Sequence, residues 1–371
     1  ENTIDTASYY VLRDFLNDAN ASGKDVAIAT TWLNDADEKS TAEWSKPWHK
    51  NINDIDGTVC ANVINGITTS ILSGLVAPEL LNDPELNQIY QNTTSMLAYL
   101  INSNFSSRQD LALPYYPSRY QFYYTVARTV SILDIHKRKG QLPVEVMELV
   151  FSDLKQAMEG EATRFIISNA KLNDDGSIYF EDFLGNGDLT EDNEPIFRGE
   201  DRIFTTAMAA NVLMYTWLSF DSESSQSYWK LDTPKTVKDT VDGSVLWLSK
   251  HALIGKPWNA LFSTQNKGTS DLSFRYPANL FIEKPHLHTF EYMTTLEVMV
   301  GVQGYIPKSE YDAMINATHF GKPTPTVFQG FNHPDFSDMI FWSSDSYTYA
   351  LTLLALSRYR EITDAHIITM D

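Results

Sequence analysis

Helical periodicity runs through most of this chain and constrains its fold more than any other feature. Between Thr58 and Leu72, for example, apolar side chains recur at Val59, Val63 and Ile67, which form one stripe at a spacing of 3.6 residues. Alternating runs typical of strands are few and short. We therefore predict an all-α protein, with helices near residues 4–17, 24–33, 58–72, 85–102, 119–139, 143–169, 202–219, 234–253, 288–303, 309–318 and 346–361.

The helix that follows Ser118 carries signals at both of its ends. Ser118 is followed three residues later by Gln121, which is the spacing of a capping box. Four basic residues, 136–139, precede Gly140, and cations at this end complement the helix dipole before glycine ends the helix. We interpret the basic cluster as a helix end rather than as an anion-binding site.

The predicted helices fall into two kinds. Segments 202–219 and 346–361 are apolar nearly all round, so protein must enclose them, whereas 143–169 and 234–253 carry a charged face suited to water. This difference predicts an inner and an outer layer of helices. No break in composition divides the chain, and we predict a single domain over residues 1–371.

Three long stretches separate the helices and are rich in Asp, Asn, Gly, Pro and aromatic residues. They cover residues 32–57, 173–201 and 255–285, and each is long for a connection between helices. We predict that they are ordered loops over one end of the helical layers.

Charge and hydropathy exclude several classes of partner. The chain has 28 Lys+Arg against 48 Asp+Glu, and a net charge of -20 repels nucleic acid and anionic lipid. The richest apolar run, Ala207 to Leu218, is too short for a membrane helix. We predict a soluble protein whose ligand is a small molecule or a glycan, with no nucleic-acid partner and no membrane span.

Sequons and the chain start favour an extracellular protein or one of the secretory pathway. The sequence begins at Glu1, which suits a mature chain after signal removal and a trimmed chain equally well. Four Asn-x-Ser/Thr sequons permit a glycoprotein: Asn20, Asn92, Asn104 and Asn316.

The lone Cys60 excludes an internal disulfide and is predicted to be buried and inert.

Three of the predicted helices begin alike. Asp56, Asp201 and Asp345 each precede an almost wholly apolar helix with small residues in its first turns. A carboxylate at such a start caps the helix and favours its positive dipole end. These helices are predicted to belong to one circular set.

A second pattern occurs where a helix ends and turns through Asp174-Asp-Gly176-Ser-Ile-Tyr179, and a weaker echo runs from Gly243 to Trp258. The pattern resembles the repeat of the squalene cyclase and prenyltransferase superfamily, with Tyr179 where that repeat has Trp. The resemblance implies an α/α toroid, a ring of inner and outer helices. It does not extend to the chemistry, because the catalytic Asp-x-Asp-Asp motif is missing.

Acidic residues at the starts of inner helices are the catalytic candidates. Asp56, Glu200, Asp201 and Asp345 lie where helix ends would converge on a substrate. Two such carboxylates could act as acid and base on a glycan. Replacement of a capping Asp by Asn is predicted to preserve the helix and remove the chemistry.

Aromatic residues and a central arginine are the candidate ligand-binding groups. Aromatic residues make up 12% of the chain, enough to line a hollow. Arg128 lies in an aromatic helix four residues after Tyr124, and if buried it requires a carboxylate partner, for which Glu200, Asp201 and Asp345 are candidates. Four residues are predicted to contact the ligand: Tyr124, Arg128, Glu291 and Trp342.

Two segments could hold a metal ion, Ca²⁺ in one and Zn²⁺ in the other. The segment from Lys171 to Asp182 has the glycine of an EF-hand loop, but a lysine stands where the first carboxylate ligand belongs. Asp182 and Asp188 could still hold a cation. His286 and His288 lie two residues apart, a spacing compatible with zinc, although helix capping explains them as well.

These features favour a protein that binds or processes a small apolar or aromatic organic ligand in a central cavity. Two alternatives stay open at this stage. One is a glycoside hydrolase or lyase that uses the carboxylates at the helix starts. The other is a terpene-type cyclase, which the missing Asp-x-Asp-Asp motif disfavours.

Overall fold

The architecture is taken from a computed structural model of the chain. The structure describes these residues: 6–31, 55–107, 109–113, 116, 118–140, 142–182, 202–221, 226–254, 262–263, 278–282, 299–305, 341–342 and 345–368.

The described part of the chain is mostly helical, which confirms the all-α prediction. Its α-helices are α1 (Thr6–Ala21), α2 (Gly57–Leu72), α3 (Pro84–Asn102), α4 (Gln109–Ala112), α5 (Arg119–Lys139), α6 (Glu145–Ala157), α7 (Thr163–Ser168), α8 (Arg202–Trp217), α9 (Lys235–His251) and α10 (Asp345–Ile368). Two 3-10 helices, Pro78–Asn82 and Asn104–Ser107, flank α3, and a π-helical segment, Met158–Ala162, joins α6 to α7.

Four antiparallel strand pairs accompany the helices. They are β1 (Lys171–Leu172) with β2 (Ile178–Tyr179), β3 (Leu218–Asp221) with β4 (Gln226–Trp229), β5 (Phe262–Ser263) with β8 (Phe341–Trp342), and β6 (Ala278–Ile282) with β7 (Met299–Tyr305).

Two helix predictions are wrong where the structure describes the residues. Residues 24–30 have no regular structure, and β7 occupies the end of the segment predicted as a helix over 288–303. The strand of β7 pairs with β6, so partners distant in sequence override the local pattern. The helix predicted over 309–318 lies outside the described residues.

Side-chain caps fix the starts of three helices. Asp56 accepts a hydrogen bond from the backbone N of Val59 at the start of α2, and Asp83 does the same for Leu86 in α3. Ser118 Oγ accepts from the backbone N of Gln121, at 3.2 Å, as the capping signal predicts. Gly140 follows the last residue of α5, so both ends of that helix are confirmed.

The helices pack in two rows. In the first row, α2, α5, α8 and α10 lie side by side in that order. In the second, α3, α6 and α9 cover α2, α5 and α8, and α3 packs against α6. Phe204 meets Tyr347 near the starts of α8 and α10, and Tyr215 meets Arg358 further along both. These two helices therefore run in the same direction.

Burial along the first row only partly follows the sequence. Almost every residue of α8 is buried, as predicted, and Asn211 on that helix donates to the Leu351 carbonyl of α10 at 3.0 Å. The prediction that 346–361 is mostly buried is wrong within the described residues. There α10 has one buried face, which includes Thr348, and one exposed face, on which Leu353 is 69% exposed.

The turn between β1 and β2 confirms the helix-to-turn interpretation of this segment. Gly176 has a φ of +80°, a left-handed conformation that favours glycine. Asp175 accepts from the backbone N and the hydroxyl of Ser177, at 3.0 and 2.6 Å, and pairs with Lys250 of α9 at 2.8 Å. These contacts hold the pKa of the Asp175 carboxyl well below its usual range. The Asp175 carboxylate therefore stabilises the turn and joins it to α9.

Cys60 is fully buried, as predicted, and its thiol lies 3.3 Å from the Ala29 carbonyl. We expect a thiol reagent to leave the native protein unmodified and to label it at once in denaturant. The Cys60→Ala variant should lose about 1 kcal/mol of unfolding free energy. Labelling of the native protein as fast as that of the unfolded chain would contradict the burial.

Within the described ranges, no helix combines the length and the apolar character needed to cross a membrane.

Candidate functional site

Two of the predicted ligand-binding residues meet side chains that the sequence did not single out. Tyr124 and Arg128 lie on α5, one turn apart, where α5 packs on α8. Tyr215 comes from α8, and Tyr347 and Arg358 come from α10. We call these five residues the tyrosine–arginine cluster.

Ring and guanidinium contacts hold the cluster together. The rings of Tyr124 and Tyr215 are 5.8 Å apart and nearly perpendicular, a favourable edge-to-face arrangement. Arg358 stacks on Tyr215, with its Cζ 3.6 Å from the ring centroid, and Arg128 lies 5.6 Å from the centroid of Tyr124. Both arginines therefore meet the electron-rich faces of tyrosines.

The cluster is open on one side. Tyr124 is buried, Tyr215, Tyr347 and Arg358 are half-buried, and Arg128 is exposed. This exposure corrects the prediction for Arg128, since an exposed guanidinium is solvated and needs no carboxylate partner. A solute can therefore reach the edge of the cluster at Arg128.

Burial controls the protonation of the tyrosines. It raises the pKa of Tyr124 strongly, and the neighbouring Tyr215 adds to the rise, while Arg128 and Arg358 oppose it. Burial also raises the pKa of Tyr347, and Arg128 again opposes the rise. Both phenols therefore stay protonated at neutral pH and can donate hydrogen bonds.

The arginines of the cluster are not neutralised by acids of the described chain. Among the residues that the structure describes, neither Arg128 nor Arg358 pairs with a carboxylate. Other arginines of this part do pair, such as Arg138 with Asp134 and Arg202 with Glu181. Helices α5 and α10 both pack on α8, so Arg128 and Arg358 form a local positive centre in a chain of net charge -20.

Of the four predicted catalytic acids, only Asp56 has a described side chain. Asp56 is 0% exposed, and its two carboxylate oxygens accept from the backbone N of Val59 and of Tyr116. In the described part of the chain, Asp56 is therefore a buried cap of α2. Asp345 is the first residue of α10, with its side chain outside the description, as are Glu200 and Asp201 altogether.

Among the remaining ligand and metal candidates, the structure describes the side chain of Asp182 alone. Trp342 pairs with Phe262 through the backbone of β8 and β5, and its side chain is outside the description. Asp182 is 9% exposed, and within the described ranges no three potential metal ligands converge. Four predicted residues lie outside the described part: Asp188, His286, His288 and Glu291.

Sequence analysis missed Tyr215, Tyr347 and Arg358, although a signal for them exists. The similar helix starts imply that residues at equal distances along α8 and α10 lie at the same level. Tyr215 and Arg358 are such a pair, and they stack. By itself, a cation near the end of a predicted helix is explained by the helix dipole, so Arg358 alone signals no site.

Comparison of the chain with protein-family models, with curated proteins and with solved structures found no match.

Proposed function

We propose that the protein is an α/α toroid that binds a small ring-bearing organic anion at the tyrosine–arginine cluster. The toroid is supported by the two rows of helices, in which consecutive members of the first row adjoin and α8 and α10 run in the same direction. In this proposal, the first row is the inner ring and the second row is the outer ring.

The sign of the ligand charge follows from the two arginines. The observation that carries the proposal is that Arg128 and Arg358, without carboxylate partners in the described part of the chain, lie over two tyrosine rings, those of Tyr124 and Tyr215, that contact each other. A carboxylate or sulfonate would gain charge-assisted hydrogen bonds from the guanidinium groups. The protonated Tyr124 and Tyr347 hydroxyls are further donors.

The ring of the ligand follows from the aromatic surroundings. Tyr215 and Tyr347 are half-buried, and Phe204 lies 6.0 Å from Tyr347. A planar apolar group beside these rings is removed from water and makes aromatic contacts. The sequence predicts an apolar or aromatic ligand, and the proposal adds that this ligand carries a negative charge. Asp56 itself lends no support to glycan hydrolysis, because it is enclosed and occupied as a cap.

Three probes of equal ring size test the charge requirement. Benzoate, benzyl alcohol and benzylamine carry an anionic, a neutral and a cationic group on one ring. By isothermal titration calorimetry we expect benzoate to bind and benzylamine not to bind. The Arg358→Gln and Arg128→Gln variants should each weaken benzoate binding by roughly tenfold, as the loss of one charge-assisted hydrogen bond does.

Arg138→Gln is the matched control. It removes one positive charge from the same helix, at an exposed position where Arg138 pairs with Asp134. Its benzoate affinity should equal that of the parent protein. Equal affinities for benzoate and benzylamine would overturn the proposal, and so would an Arg358→Gln variant that binds benzoate as the parent does.

A further inference from the structure

A second feature of the structure is a cavity of about 360 Å³ on another side of α5. Its walls come from the end of α3 and the 3-10 segment after it, from α4, from α5, and from the π segment with α7. The polar side chains used below are Asn104, Gln109, Arg119, Tyr123, Glu161 and Arg164. We call this space the Arg119 cavity.

Arg119 is held rigidly in the cavity wall. It is 7% exposed, its Nε donates to Gln109 Oε1 at 2.9 Å, and its Nη1 donates to Asn104 Oδ1 at 2.7 Å. The guanidinium also lies over the rings of Phe105 and Phe165, 4.6 and 4.2 Å from their centroids. Aromatic rings therefore contact the planar guanidinium, and two of its nitrogen atoms are held by hydrogen bonds.

Among the described residues, no carboxylate forms an ion pair with Arg119. In the described part of the chain, its hydrogen-bonding partners are two neutral amides and the hydroxyl of Tyr123. A guanidinium has five N–H groups, so these three partners leave part of its donor capacity unused within the described part of the chain, and Arg119 lines the cavity. A buried charge without a counter-ion costs free energy, and an anion in the cavity would offset that cost.

The rest of the wall also suits a single negative charge. Glu161 is already paired with Arg164, whose Nε donates to it at 3.0 Å, so these two charges balance and Arg119 sets the net charge of the wall. Burial raises the pKa of Tyr123 to about 12; Arg119 opposes the rise, and the carboxylates of Glu161 and Asp182 add to it. The Tyr123 hydroxyl therefore stays protonated and is a second donor on the wall.

The backbone on both sides of the cavity is unusual. Asn104, Phe105 and Ser106 all have positive φ values, between 50° and 54°, which cost about 1 kcal/mol or more for each non-glycine residue. This strained segment brings Asn104 and the Phe105 ring onto Arg119. On the opposite wall, Glu161 lies in the π segment, a deviation that often accompanies functional sites. The strained segment and the π segment therefore both contribute side chains, Asn104 and Glu161, to the lining of the Arg119 cavity.

We infer that the Arg119 cavity is a binding site for a small aliphatic carboxylate, held by the free edge of the Arg119 guanidinium and by the Tyr123 hydroxyl. The flat fork of a guanidinium matches the two oxygens of a carboxylate. The volume lies at the lower end of the range for ligand pockets and suits an acid of a few carbon atoms. The site is separate from the tyrosine–arginine cluster, since successive residues Tyr123 and Tyr124 point about 100° apart around α5.

The test compares thermal melts in sodium propionate and in sodium chloride at equal ionic strength. A ligand that binds only the folded protein raises its melting temperature, and we expect propionate to add ~2 °C when its concentration is about tenfold above its Kd. The Ser168→Trp variant places a large side chain in the cavity from an exposed helix end and leaves Arg119 itself unsubstituted. It should melt like the parent in chloride and lose the response to propionate.

Ser249→Trp is the matched control. Ser249 also lies exposed near a helix end, with its hydroxyl bonded to a carbonyl three residues earlier, as in Ser168. This variant, and a double Arg128→Gln, Arg358→Gln variant, should keep the full propionate response. A response that persists in Ser168→Trp would overturn the inference, and so would an absent response in the parent. Loss of benzoate binding alone would count only against the tyrosine–arginine cluster.

Discussion

The Asp56→Asn variant is expected to lose roughly 2 to 3 kcal/mol of unfolding free energy, because an amide cannot replace both oxygens of a buried carboxylate. Asp56 Oδ1 accepts from the backbone N of Val59 at 3.0 Å, and Oδ2 accepts from the backbone N of Tyr116 at 3.1 Å. In either orientation, the NH₂ group of Asn faces one of these N–H donors. Denaturant unfolding, monitored by circular dichroism, measures the loss.

Asp83→Asn is the control for this variant. Asp83 caps α3 at an exposed position and accepts from Glu85 and Leu86 through Oδ1 alone. Asn supplies an equivalent oxygen, so the change should stay within about 0.5 kcal/mol. An Asp56→Asn variant as stable as Asp83→Asn would show that the second oxygen contributes nothing. The sequence alone predicted that outcome, since Asn caps helices as well as Asp.

The Gly243→Ala variant is expected to lose about 1 to 3 kcal/mol, although alanine normally favours a helix. A Cβ on Gly243 of α9 would lie 2.7 Å from Cγ1 of Ile178 and 3.1 Å from the Gly176 carbonyl oxygen. The contact is between α9 and the turn that Gly176 forms, so either the turn or the helix must shift. The measurement is again the free energy of unfolding in denaturant.

Gly66→Ala makes the same change where there is space. Gly66 lies exposed inside α2, and a Cβ there would have no neighbour within 4 Å. Its variant should gain about 0.5 to 1 kcal/mol from helix propensity. The expected result is that the unfolding free energy falls in Gly243→Ala and rises in Gly66→Ala. A gain in both would show that α9 does not pack closely on the turn.

Comparison of the two arginine sites shows how far the sequence led toward function. Tyr124 and Arg128 were recognised because they lie one turn apart on a single helix. Arg358, from a distant helix, and the buried Arg119 were not recognised as site residues. Arg119 follows the capping Ser118 directly, a position that suggests only a helix start. Its amide and aromatic partners come from α4, α7 and the strained segment at 104–106.

The sequence by itself determined the local features of this protein. The start of α5 at Ser118, its end at Gly140 and the turn through Gly176 each depend on groups a few residues apart, so short patterns predict them. Apolar periodicity also identified α8, because a helix that is apolar all round must be enclosed.

Only the tertiary structure decided which side chains meet across helices. The second bond of Asp56 reaches Tyr116, and the contact of Tyr215 with Arg358 joins two helices far apart in sequence. The strand β7 replaced a predicted helix because its partner β6 pairs with it. In each case the deciding free energy comes from groups that the fold brings together, and the rotation and spacing of packed helices are not encoded in any short stretch of sequence.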